Sequence, residues 1–266
     1  IKTIHYVSPK IWLWRESRLK KIKKYIDHMM LLFKFEKKYY DKNDITSTFV
    51  GHPLLDVKGK DKIDLGNLLD KNKKIISIFP GSRLSEIKTF MPILINFIKL
   101  SNKKYKSFDY IFHSTLKLND KVKKILDSSD LKNYKIVSDE SIKNHILSNS
   151  IFAIAKSGTI SLEISNAQIP SIIIYKMNFL NFFIIKRLVK IKYANIFNII
   201  SNFEIIPELL QSKCNYKTIF ELFDKFIKNP ELCKEQILSC NKILKDIKTE
   251  TSSAEKAASV LNSYLR

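Results

Sequence analysis

Glycine is scarce: five in 266 residues. Each one therefore marks a place where the backbone needs a turn or a close approach. The three cysteines, Cys214, Cys233 and Cys240, have neither metal-ligand nor redox spacing, and read as reduced thiols of a cytosolic protein. The five histidines are dispersed, so no metal site is expected. No apolar run approaches the ~18 residues of a membrane span; Ser171–Tyr175 and Phe182–Ile185 are typical. A secretory signal and an initiator Met are also lacking, and the chain opens on Ile1–Val7, which reads as a buried strand. The expectation is a fragment of a longer protein. Arginine is nearly absent, 5 against 42 lysines, and no acid lies between Glu163 and Glu204.

What is present is a lysine-driven net charge of +21. AT-rich codon bias explains abundant Lys, Asn and Ile, yet such a field attracts polyanions, anionic lipid or phosphorylated substrates. Short β-branched runs alternate with amphipathic stretches. Lys74–Phe79, Phe108–His113, Tyr134–Val137, Ile151–Ala155 and Ser171–Tyr175 predict strands. Helices follow at about 85–100, 117–128, 140–148, from Thr159, and near 179–190. That period implies βαβ units and a parallel sheet covered on both faces, an α/β fold. Upstream, Ile1–Val7, Asp27–Phe33 and Ser47–Val50 predict strands separated by helices 15–26 and 35–42. Gly51 to Leu65 reads as a linker, and from Glu204 onward only helical patterns are found. Ser252-x-x-Glu255 has capping-box spacing before a helix with Ala258, Leu261 and Leu265 on one face.

Open parallel sheets bind ligands beyond the carboxyl ends of their strands. Two glycines fall there. In Pro80-Gly81-Ser82-Arg83-x-Ser85-Glu86, Gly81 permits a tight turn into a helix whose first N–H groups favour an anion. Arg83 adds a planar charged fork suited to phosphate. Spacing alone leaves a surface turn with a solvated Arg equally open, and the loop is not of Walker type. In Lys156-Ser157-Gly158-Thr159-x-x-x-Glu163, the turn offers hydroxyl and backbone donors, and Glu163 could reach ribose hydroxyls. A plain N-cap with a first-turn carboxylate remains the alternative.

In order along the chain stand Ile4-His5-Tyr6-Val7-Ser8-Pro9-x-x-Trp12-x-Trp14-Arg15, Phe33-x-Phe35-Glu36-Lys37 and Phe49-Val50-Gly51-His52-Pro53. The two turns follow, then Lys186-Arg187-Leu188-Val189-Lys190, Asn198 and Pro207-Glu208-Leu209-Leu210-Gln211. Together these blocks resemble the lipid-A-disaccharide synthases, glycosyltransferase family 19, across essentially the whole chain. The resemblance implies a GT-B fold: residues 1–58 as the end of an N-terminal acceptor-binding domain, 59–250 as a complete Rossmann-like donor domain, and 251–266 as a helix returning toward the first. It implies transfer of 2,3-diacylglucosamine from its UDP conjugate to 2,3-diacylglucosamine 1-phosphate, with a β-1,6 linkage and release of UDP.

By the same resemblance Gly81, Ser82 and Arg83 meet phosphate, Ser157, Gly158, Thr159 and Glu163 hold diphosphate and ribose, and Asn198 binds substrate. No cofactor or metal is implied. The family's candidate base, an Asp, precedes the Ile4-His5-Tyr6 strand, so none is named here; Asp27, Asp41 and Asp56 do not match by motif. Because helix 252–266 would lose part of its packing surface in a fragment, weak UDP binding and no transfer are expected of these 266 residues. A second departure is Phe197 before Asn198, where the family usually has Pro.

A lipid substrate implies a cytoplasmic enzyme in peripheral contact with the inner membrane; a homodimer is compatible. Helix 15–26 carries Arg18, Lys20, Lys21, Lys23 and Lys24 beside Leu19, Ile22 and Ile26, and 182–190 mixes apolar and basic residues. For 15–26 an amphipathic helix packed on its sheet with a solvated basic face is favoured over head-group contact. A nucleic-acid module would explain the charge, but no such motif is present, and nucleic acid is not expected as a partner. A UDP-N-acetylglucosamine transferase of peptidoglycan synthesis, or a related epimerase, would share the turns but not the opening block.

Overall fold

The computed structural model describes residues 1–11, 17–56, 70, 72–178, 182, 187 and 192–265. The expected helix near 179–190, the Trp12–Arg15 block and most of the linker lie outside them. The chain forms two compact units: Ile1–Lys58 with Asn178–Lys192 and Asn241–Arg266, and Gly59–Met177 with Tyr193–Cys240.

In the first unit, β1 (Ile4–Tyr6), β2 (His28–Leu31) and β3 (Ser47–Phe49) form a parallel sheet in that order. Helices α1 (Arg18–Tyr25) and α2 (Lys37–Asp41) connect them. Strand β1 is an edge strand with Tyr6 and Val7 exposed, not the buried strand its composition suggests, because only β2 covers it. Helix α1 buries Leu19 and leaves its basic residues in solvent, as an amphipathic helix on a sheet does. Gly51, at φ 86°, follows β3, and a Cβ there would lie 2.8 Å from Thr249 Oγ1. That close approach accounts for the glycine of Gly51-His52-Pro53.

The second unit is built on a six-stranded parallel sheet. Its strands are β4 (Lys74–Phe79), β5 (Phe108–His113), β6 (Tyr134–Val137), β7 (Ser150–Lys156), β8 (Ser171–Tyr175) and β9 (Glu208–Leu210), in the order β6-β5-β4-β7-β8-β9. Intervening helices are α3 (Leu84–Lys104), α4 (Asn119–Asp127), α5 (Glu140–Ser148), α6 (Ile160–Asn166) and α7 (Ile196–Ser201); α8 (Tyr216–Lys228) and α9 (Pro230–Ile247) follow β9, and α10 (Ser253–Asn262) belongs to the first unit. Helices α3 and α8 cover one face, where Phe223 meets Phe97, Phe108 and Phe152 edge-on with centroids 5.3–5.7 Å apart. On the other face Ile146 of α5 packs with Ile75, Ile111 and Val137. Gln236 of α9 pins the start of β8, accepting from Ser171 N (2.6 Å) and donating to Ser171 O (3.1 Å).

Two expectations need correction. Strand β9 lies where only helical patterns were expected; three residues are too few to show a period. Helix α10 has its capping box, with Ser252 N donating to Glu255 Oε2 (2.9 Å), but it buries a different face. Val260, Ala257 and Tyr264 pack with Met30 and Val50, while Leu261 and Leu265 are exposed. No helix among the described residues is long and apolar enough to cross a membrane.

Candidate functional site

In the second unit the strand order reverses direction at β4 and β7: β5 and β6 extend to one side, β8 and β9 to the other. A crevice opens at such a switch point beyond the carboxyl ends. Both glycine turns leave there, Pro80–Arg83 after β4 and Ser157–Thr159 after β7. They line one cavity of about 270 Å³. Gly81, Ser82, Ser157, Gly158, Thr159 and Glu163 all contribute to its wall.

The first turn is held by charge. Gly81 has φ 116°, and a Cβ there would lie 2.7 Å from Glu86 Cβ. Only glycine lets Glu86 fold back over the turn. Its Oε2 accepts from Ser82 N (2.9 Å) and Arg83 N (3.3 Å), and its Oε1 meets Lys156 Nζ at 2.9 Å. Burial would raise the Glu86 pKa, but Lys156 and the two backbone N–H groups outweigh it and hold the carboxyl below its ordinary value. Arg83 is not part of the wall. Its side chain is 77% exposed and reaches Glu86 Oε1 at 3.7 Å.

The second turn is held by hydrogen bonds. Ser157 N donates to Ile174 O (3.0 Å) and Ser157 Oγ to Ala194 O (3.1 Å). Thr159 makes no side-chain cap bond to α6. Behind Ala194 lies a buried knot centred on Asn198, away from the cavity. Asn198 Nδ2 donates to Ile206 O and Glu208 Oε1, both at 2.7 Å, and its Oδ1 accepts from Ile205 N (2.8 Å) and Ile206 N (2.9 Å). Glu208 also accepts from Ala194 N (2.7 Å) and Asn195 N (2.9 Å). The Asn198 amide is thus saturated within the chain.

Glu163 faces the cavity from α6 and pairs with Lys143 of α5, 2.6 Å from Oε2. Lys143 also pairs with Glu140. Burial would lower the Lys143 pKa, and the two carboxylates reverse that shift upward. At the two turns the cavity wall therefore carries Lys156 against Glu86, with Arg83 outside it. Around Lys143 the wall carries Asp139 and Glu140 from the β6 side and Glu163 from α6. The cavity is polarised, with its less negative end at the two turns.

Sequence reasoning missed Lys143, Lys156 and His113. His113 ends β5, as the Gly81 turn ends β4; the carboxyl-end rule could have found it. Its ring stacks on Phe79 with centroids 4.1 Å apart. Ser150 Oγ donates to Ile146 O (2.9 Å), so Ser77 Oγ must donate to Ser150 (2.8 Å), and His113 Nε2 must donate to Ser77 (3.0 Å). That order leaves Nδ1 as a bare acceptor, buried without a partner. Burial, aided by Lys143, pushes the His113 pKa down to about 3, so the ring is neutral near pH 7.

A family model described as lipid-A-disaccharide synthetase matches residues 1–261. A lipid-A-disaccharide synthase of Coxiella burnetii is 36% identical over 86% of this chain and 61% of its own length. That of Rickettsia prowazekii is 34% identical over 95% and 67%. The chain thus spans about three fifths of the Coxiella relative. Among solved structures, the S. aureus MnaA–UDP complex has a TM-score of 0.60 at 11% identity, covering 92% of this chain and 61% of that one. The UDP-GlcNAc 2-epimerase of Neisseria meningitidis bound to UDP-GlcNAc has 0.56 at 14%, covering 83% and 61%. At these identities the likeness shows the fold alone, the GT-B, Rossmann-like architecture.

Proposed function

The chain belongs to the lipid-A-disaccharide synthetase family, and on that premise we propose that its cavity binds the UDP end of UDP-2,3-diacylglucosamine. The enzyme then transfers the sugar to 2,3-diacylglucosamine 1-phosphate, forming the β-1,6 disaccharide and releasing UDP. The observation that carries this reading is the convergence of the two glycine turns on one polarised cavity.

In this reading residues 59–250 are the donor domain. The diphosphate lies at the less negative end, against Gly81, Ser82, Ser157, Gly158 and Thr159, with the Arg83 charge at the rim. The free oxygen of Glu163 takes ribose hydroxyls while Lys143 holds the other. Asn198 acts indirectly: through Glu208 it fixes Ala194, whose carbonyl takes Ser157 Oγ. Transfer is an inverting displacement. As the anomeric bond breaks, charge grows on the leaving UDP, and preorganised N–H groups and cations at the turns stabilise it. The proton of the acceptor 6-hydroxyl goes to a carboxylate base that we assign to none of the residues here. Asp27 is engaged by Thr3 N (2.8 Å) and Lys2 (3.0 Å), Asp41 by Lys37 (2.6 Å), and Asp56 by Ser253 N (2.8 Å). Peripheral contact with the inner membrane and homodimer formation belong to the same proposal.

Competition for bound UDP tests the substrate class. UDP-2,3-diacylglucosamine should displace it at lower concentration than UDP-N-acetylglucosamine. Equal or better displacement by the unacylated sugar would favour the peptidoglycan-type reading instead.

A further inference from the structure

We propose that Lys156 is the cation that meets the diphosphate charge in this cavity, a role the family resemblance gives to Arg83. The inference rests on the UDP-binding reading above.

Both side chains carry one positive charge, and they differ in where it sits. The Arg83 guanidinium is 77% exposed and outside the cavity wall, where water and salt screen it. Lys156 is 20% exposed and part of the wall. It ends β7 and directly precedes Ser157, so a strand sets its backbone. Glu86 fixes its ammonium at 2.9 Å, and Glu86 is itself tied to Ser82 N and Arg83 N. The charge is thereby suspended between the two turns.

Charge balance separates Lys156 from the other wall lysine. Lys143 faces two carboxylates, Glu140 and Glu163, and has no positive charge to spare. Lys156 shares a single carboxylate, Glu86, with Arg83 and two backbone N–H groups. An ammonium has three N–H donors, and Glu86 Oε1 engages one. The remaining donors, and one carboxylate at Lys156 against two at Lys143, suit a diphosphate oxygen.

The test is calorimetric titration of the full chain with UDP and, separately, with uridine. Lys156→Met should weaken UDP binding at least tenfold and leave uridine within twofold. Lys156→Arg should recover most of the loss, and Arg83→Ala should weaken UDP less than threefold. Wild-type affinity for UDP in Lys156→Met overturns the proposal. So does a parallel loss of UDP and uridine, which would mean a collapsed wall and not a missing charge. Failure of the unsubstituted chain to bind UDP overturns the underlying reading, and that outcome is visible before any variant is made.

Discussion

The two turns reach the same cavity by different physical means. The Pro80–Arg83 turn is braced by a carboxylate: Glu86 folds onto Gly81 and ties two backbone N–H groups to Lys156. The Ser157–Thr159 turn is braced by neutral and carboxylate hydrogen bonds that begin two elements away, at Asn198 and Glu208. A charge-braced turn depends on pH and salt. A turn braced through a buried amide depends on that amide being present.

Breaking the second brace should cost most. Asn198→Ala deletes four buried hydrogen bonds, takes one of three donors from Glu208 and strands two backbone N–H groups. A loss of about 3 kcal/mol is expected in urea unfolding, with an unchanged m-value. A loss under about 1 kcal/mol would show that the knot is not structural.

Breaking the first brace should cost somewhat less. Gly81→Ala places a Cβ at φ 116°, against Glu86. It should lower stability by about 2 kcal/mol. Glu86→Ala in the same background removes the contact but not the φ penalty, so the double variant should lose less than the sum of the singles.

Acid titration sharpens the contrast with a third wall. The His113 pKa is depressed in the folded protein, so the unfolded chain takes up a proton that the native one refuses. This contribution to stability is complete above pH ~6.5 and falls as pH drops toward about 3. Glu86, also depressed, has its full contribution above its ordinary value of 4.5 and loses it as pH falls through its lowered one. His113→Gln should flatten the fall from pH ~6.5 to about 3, most cleanly in its upper part, before Glu86 begins to titrate. An unchanged slope would place the proton uptake elsewhere.

Much of the fold was legible because these strands are short runs rich in β-branched or aromatic residues, separated by helical patterns. Lys74–Phe79, Phe108–His113, Tyr134–Val137 and Ser171–Tyr175 have the predicted limits. Strand β9 was not, since Glu208–Leu210 is short and its glutamate is buried for the Asn198 knot. In α10 a helical period runs equally well through Ala258, Leu261 and Leu265 or through Ala257, Val260 and Tyr264; only the partner surface chooses. At the site, scarcity made Gly81 and Gly158 conspicuous. Lys156 was hidden among 42 lysines. His113 depends on Ser77 and Ser150, brought beside it only when β5, β4 and β7 pair.

A crystal structure of this chain grown with UDP would place the ligand relative to both turns at once. The diphosphate should lie within hydrogen-bonding distance of the Gly158 and Thr159 N–H groups and of Lys156 Nζ, with ribose hydroxyls on Glu163. UDP bound away from this cavity, or bound with its nucleoside at the turns and its phosphates toward Asp139 and Glu140, would contradict the account.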